Sequence, residues 1–267
     1  MSIYRIFAIV LRQFYLIRGS FSRLFPLFVW AAVDMVLWGF LTKYLNSFVP
    51  SGFNFVTALL GAVLLWDFFI RIMQGVTMAF FEDVWSRNFL NIFATPILIS
   101  EYVSGLIFSS IATSTIGLTV MLLIVGLFFK LSILVYGLTV FPFILVLFLF
   151  GISIGIFGSA LVLHLGPAAE WFIWPIPALI SPFVGVLYPI STLPAWMQFV
   201  SRLLPPSYVF EGLRTIVSGG QASMATLAWA ACLALGYIFL AYLFFTRIYQ
   251  NALRTGLIAR YSAESLS

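Results

Sequence analysis

Asp34 stands inside one long apolar stretch and Asp67 and Arg71 inside the next, and these three are the side chains at which membrane chemistry could be done. A carboxylate at mid-bilayer costs at least about 2.5 to 3.5 kcal/mol on insertion scales, so an unpaired one is not expected. Two aspartates could form the proton-sharing dyad of an intramembrane aspartyl protease, which requires one carboxyl with a raised pKa. Arg71 argues against it: residues four apart share a helix face, and a guanidinium there holds Asp67 ionised. The local contexts, Val33-Asp34-Met35 and Trp66-Asp67-Phe68, also lack a glycine before the second acid. The expectation is a cluster of Asp34, Asp67 and Arg71 packing two spans together, with substrate contact as the second reading.

Other chemistries lack their residues. The single Cys232 permits no internal disulfide or cysteine zinc site, and the single His164 no histidine cluster. Neither Lys43 nor Lys130 sits in a G-x-x-x-x-G-K-[ST] loop, so nucleotide hydrolysis must come from a partner chain. No cofactor is expected on this chain. Arg5, Arg12 and Arg18 are spread through the first twenty residues rather than gathered before an apolar core, so no cleaved signal peptide is expected.

The elements that must position these residues follow from composition. With 267 residues, 63% hydrophobic and only 8% charged, the chain has more apolar surface than a soluble interior could hide. The expectation is an all-α membrane protein of one domain, 1–267, with six spans of about 20 apolar residues or more each. They fall at 23–42, 54–81, 102–129, 131–163, 171–188 and 223–246, the fourth kinked at Pro142. Residues 1–22 carry Ile3, Ile6, Phe7, Val10, Phe14 and Ile17 at helical spacing with Arg5 and Arg12 on another side, the pattern of an interfacial helix. Ile9 and Leu16 fall on the arginine side. Residues 82–100 are polar and read as a short cytoplasmic helix, and Lys130 as a tight turn. Gly151, Gly155 and Gly158 give the fourth span a small side for close packing, while Pro175, Pro177 and Pro182 make the fifth bendable.

Residues 189–220 hold two apolar pieces, each too short to cross and separated by Pro205-Pro206. Ser191 or Thr192 is expected to cap the first helix with Pro194 in its first turn, Ser207 to cap the second, and Gly219-Gly220 to end it. The pattern is that of a re-entrant hairpin. An even number of spans puts both termini on one side. Eight basic residues (Arg5, Arg12, Arg18, Arg23, Arg87, Arg247, Arg254, Arg260) then share that side, against four opposite (Lys43, Lys130, Arg202, Arg214). The positive-inside rule makes the termini and residues 82–100 cytoplasmic and the hairpin extracytoplasmic, in a cell (inner) membrane.

Two tracts carry a family resemblance. One runs Glu82, Arg87, Ala94-Thr95-Pro96, Glu101-Tyr102, Gly105. The other runs Gly185, Tyr188-Pro189, Ser191, Leu193-Pro194, Trp196, then Leu204-Pro205, Tyr208, Glu211, Arg214. Together with the span order they resemble the transmembrane subunit of a type-2 ABC exporter over nearly the whole chain. The resemblance implies a coupling helix within residues 82–93 that docks on a cytosolic ABC ATPase, with Glu82, Asp83, Arg87, Asn88, Phe89, Thr95 and Pro96 at or beside the contact. Asn88 stands where many relatives have glycine; it is the other residue that tolerates a left-handed backbone. The resemblance further implies two permease copies working with two ATPases, which bind ATP and magnesium, and an outer gate at the hairpin. The expected function is export of a hydrophobic or amphipathic substrate (drug, lipid or lipid-linked saccharide), with membrane lipid as surroundings and no nucleic acid. A secondary transporter is the remaining alternative, but it would usually show matching interruptions in both halves.

Overall fold

A computed structural model describes residues 2–48, 56–86 and 88–256. Arg87, Pro50, Gly52 and the tail that includes Arg260 lie outside the described residues. Described elements other than loops are helical: α1 (Ile3–Arg18), α2 (Phe21–Asn46), α3 (Gly61–Trp85, entered through a π turn Val56–Leu60), α4 (Phe89–Phe93), α5 (Ile99–Phe129), α6 (Val140–Leu165), α7 (Glu170–Ile173), α8 (Ile176–Val184), α9 (Ala195–Leu203), α10 (Pro205–Val217) and α11 (Met224–Arg254). Among the described residues, five helices are long and apolar enough to cross a membrane: Phe28–Asn46, Val56–Val84, Ile99–Phe129, Ile133–Leu165 and Met224–Arg254.

The long helices form a row in which α5 packs on α2 and α3, α3 on α6, and α6 on α11. The inner members are the most covered, with 67% of the α3 window buried against 22% for α2 and for α11. Glycines set the central seam. An added Cβ at Gly151 would stand 2.9 Å from Ile72, at Gly155 2.8 Å from Val76, and at Gly158 2.7 Å from the Thr77 hydroxyl. Thr77 Oγ1 also donates to the Gly155 carbonyl at 3.1 Å. Phe69 stacks on Phe150, Phe150 meets Tyr237 and Phe157 meets Phe244, so α3, α6 and α11 run in the same direction.

Several boundaries differ from the sequence reading. The second span continues as helix through Trp85 and the last through Arg254, because nothing polar in those turns breaks backbone hydrogen bonding. The fourth span breaks at Gly137 (φ 62°, ψ −155°) rather than at Pro142. Pro142 falls in the first turn of α6, where a proline removes no intrahelical bond. Residues 171–188 are not one rod: α7 stops before Pro175, and α8 begins with Pro175 at its cap and Pro177 in its first turn. Trp171–Val184 is the apolar helical piece there, shorter than the other five. Lys130 takes the left-handed conformation (φ 55°) that closes α5.

In the α9–α10 segment the capping residues also differ from the sequence reading. Pro194 itself precedes α9 as its cap, and Ser191 and Thr192 lie in a separate 3-10 turn. Pro205 and Pro206 do not separate the helices but begin α10, where their fixed φ is already helical. Ser207 is thereby released from capping and donates to the Ser201 carbonyl at 2.7 Å, tying α10 to α9. Gly219 (φ 82°) ends α10, with the Gly220 amide donating to the Thr215 carbonyl.

Candidate functional site

The polar stretch between α3 and α5 is held by two sets of contacts. One is aromatic. Phe89 and Phe93 of α4 pack on Tyr102 of α5, Phe89 also on Phe80 of α3, and Phe93 on Tyr249 of α11, with centroids 4.6 to 6.1 Å apart across the set. Phe80 in turn meets Phe245. The five-residue α4 is therefore fastened to three long helices at once, and a displacement of α4 must displace them.

The other set is ionic and involves α1. Asp83 is 2% exposed and accepts from both terminal nitrogens of Arg12, one at 2.8 Å, and from the Tyr102 hydroxyl at 2.6 Å. This carboxylate raises the Arg12 pKa, through the hydrogen bond first, so the guanidinium stays charged. Glu101, 1% exposed, accepts from the backbone N–H groups of Ser2 (2.6 Å) and Leu98 (3.1 Å) and from Arg5 (3.4 Å). Glu82 pairs with Arg23 at the start of α2. Ile9 fills the space above Gly105, where an added Cβ would stand 2.6 Å away.

The arginine side of α1 is therefore the side that faces the protein, and this reverses the simplest amphipathic reading. Ile9 and Gln13 are buried with Arg12 beside them, whereas Ile3, Phe7 and Phe14 are 75%, 62% and 54% exposed. The outward apolar stripe suits the bilayer interface.

These contacts redistribute the expected coupling residues. Asp83 and Phe89 are buried and cannot meet a soluble partner, and Glu82 is engaged by Arg23. Asn88 is half-buried, Thr95 and Pro96 are exposed, and Arg87 is outside the described residues. Ser86, Asn91 and Leu98, which the sequence reading did not single out, complete the exposed rim. Their signal was available: in Asn88-Phe-Leu-Asn-Ile-Phe the two asparagines lie three apart, on the face away from the phenylalanines.

At the opposite end, Arg214 and Glu211 clamp the turn after α8. Arg214 Nη2 donates to the Gly185 and Tyr188 carbonyls, the latter at 2.6 Å, and its Nη1 reaches the Phe210 carbonyl (3.2 Å) and Glu211 (3.3 Å). Glu211 accepts from the Ile190 amide at 2.9 Å. Burial lowers the Arg214 pKa, but an arginine remains charged in a protein. Tyr188 donates to the Pro182 carbonyl (2.9 Å) and Tyr208 to the Arg202 carbonyl (2.8 Å). Pro189, Pro194 and Trp196 are exposed and Pro205 is buried. Trp196, Phe199 and Leu203 form one exposed apolar stripe of α9. Arg214→Ala should leave at least two carbonyls of this turn unpaired, each at about 1 to 3 kcal/mol where buried. Arg214→Lys should recover only part, since a point-like ammonium does not reproduce the fork. Thermal unfolding in detergent, ordered wild type, Lys, Ala, checks it.

Between these ends lies a cavity of about 690 Å³, bounded by α2, α3, α5 and the break between α7 and α8. Asp34, Asp67 and Arg71 all line it. Asp67 and Arg71 are in contact at 3.2 Å and 15% and 12% exposed. α2 packs chiefly on α5, and Asp34 lines the same cavity as Asp67 and Arg71. Asp67 thus has a guanidinium as its direct partner, as the four-residue spacing implied. Among the described residues no group of three His, Cys, Asp or Glu side chains could hold a metal ion.

Comparison with known proteins gives one family match: the model described as ABC-2 type transporter matches residues 4–217. No curated protein matches the chain.

Proposed function

The chain belongs to the ABC-2 type transporter family, as the membrane permease component rather than the ATPase, and we propose that it exports a hydrophobic or amphipathic substrate from the cytoplasm. The family pairs such a permease with an ABC ATPase and a permease partner; in this reading the unit holds two copies of each, with ATP and magnesium on the ATPases. The observation that carries the reading is α4, whose aromatic residues grip α3, α5 and α11 while Ser86, Asn91, Ala94, Thr95, Pro96 and Leu98 remain exposed around it. ATP binding would push this rim, and the long helices would shift between inward and outward access.

The same reading places α4, the start of α1 and the end of α11 in the cytoplasm, following the excess of basic residues at that end. Since α6 and α11 run in the same direction, α7 and α8 with the turn after them would supply the return, a sixth and interrupted crossing. Interrupted backbone is tolerated at membrane depth where it borders protein or a cavity, and Trp174, at the interruption, lines the charged cavity. The α9–α10 hairpin would form the outer gate.

The test is co-expression with the ABC ATPase encoded beside this chain. The wild type should co-elute with it and alter its ATP turnover. An Asn91→Arg/Thr95→Arg variant, changed only at exposed positions, should keep its melting temperature and lose co-elution. Unchanged co-elution of that variant would place the docking surface elsewhere. Absence of any complex with the wild type would overturn the reading.

A further inference from the structure

The cavity among α2, α3 and α5 has a charge and depth that point to a class of ligand. The Arg23–Glu82 pair joins α2 to α3 near their coupling ends. Asp34 lies eleven residues beyond Arg23 on α2, and Arg71 eleven residues before Glu82 on α3. At 1.5 Å per residue both stand about 16 Å from that pair, at one level and near mid-bilayer. Asp34 is within electrostatic reach of Arg71, while Arg71 is in direct contact with Asp67. Arg23 lines the same cavity nearer its coupling end but is paired with Glu82, so two carboxylates against the Arg71 guanidinium leave the middle with one negative charge in excess.

Two further features fit a ligand rather than a packing device. A packing cluster buries its charges between touching helices, and here a cavity of about 690 Å³ lies between them. Trp30 and Trp174 line the same space with large π faces, and both are more than half exposed. Aromatic faces attract cations, and negative charge at this depth repels anions and favours a cation that is itself lipophilic enough to enter.

We propose that this cavity is a binding site for lipophilic cations, with Asp34 as the principal counter-charge, Asp67 and Arg71 as a paired wall, and Trp30 and Trp174 as aromatic walls. The proposal deepens the permease reading by naming the substrate class. It is tested on the full chain without the ATPase, so its failure and a failure of co-elution are separate results.

Tetraphenylphosphonium and tetraphenylborate are nearly the same shape and opposite in charge. Purified protein in a neutral detergent is titrated with each, following tryptophan fluorescence and equilibrium dialysis. The phosphonium should bind saturably and the borate at least about tenfold more weakly. Asp34→Asn should weaken phosphonium binding by about tenfold or more. Equal binding of the two ions, no saturable phosphonium binding, or an Asp34→Asn variant that is folded and unaltered in affinity would each overturn the proposal. If the Asp34→Asn protein does not fold, the comparison of the two ions on the unaltered chain decides.

Discussion

Arg12→Ala should destabilise the protein more than Asp83→Ala, although the two side chains are partners and the arginine lies nearer the surface. The reason is what each substitution leaves behind. Asp83 is 3% exposed at its side chain and Arg12 26%. Without Arg12 the carboxylate stays buried with the Tyr102 hydroxyl as its remaining side-chain partner, and removing one member of a buried pair costs about 3 to 5 kcal/mol. Without Asp83 the guanidinium can turn toward water, so the loss should fall below that range. The double variant should be more stable than Arg12→Ala alone, because no uncompensated charge remains, and the departure from additivity measures the coupling. Thermal unfolding of the four proteins in one detergent gives the comparison. An Asp83→Ala loss equal to or greater than that of Arg12→Ala would show that this pair is hydrated and does not hold α1 down. ATP turnover in the complex supplies a second readout, since α1 and the α4 segment would lose their shared anchor.

Gly155→Leu is expected to have the other large effect. Even a methyl group there would come within 2.8 Å of the Val76 side chain and 3.1 Å of the Met73 carbonyl. Overpacking of a close-packed interior costs about 1 to 3 kcal/mol for added methylenes, and a leucine must in addition push α6 from α3. That displacement would break the Thr77 hydrogen bond to the Gly155 carbonyl. The control is Gly236→Leu on α11, where nothing lies within 4 Å of the added Cβ. It should leave stability unchanged or improved, since leucine favours helix over glycine by somewhat less than about 1 kcal/mol. Comparable losses for the two substitutions would mean that the α3–α6 seam is not the tight contact of the bundle.

The α4 end of the bundle and the charged cavity are connected through α2 and α3, which meet at the Arg23–Glu82 pair. A push on α4 would reach the cavity along two elements that bear its charges, Asp34 on one and Asp67 with Arg71 on the other. In the exporter reading this is the route by which nucleotide-driven motion would change ligand affinity.

What the sequence determined by itself is local in origin. Hydropathy over some twenty residues made five crossing helices evident, and the spacing of Asp67 and Arg71 put them on one helix face. The glycine spacing of α6 announced a close contact, though not that α3 supplies it. The interruption of 171–188 was half visible, since Pro175 and Pro177 are incompatible with one unbroken helix, yet apolar composition argued for a continuous span. Only the tertiary structure decided that Asp83 meets Arg12 and Glu101 meets Arg5, partners 71 and 96 residues apart. Those pairings turn the arginine side of α1 inward and bury Asp83, while Asn91 and Thr95 stay exposed. Only the structure, likewise, showed that Asp34, Asp67 and Arg71 line one cavity. Periodicity and hydropathy are summed over neighbouring residues and so fix what each segment becomes. Which face of it meets which partner depends on contacts whose members are separated by dozens of residues, and no local pattern records them.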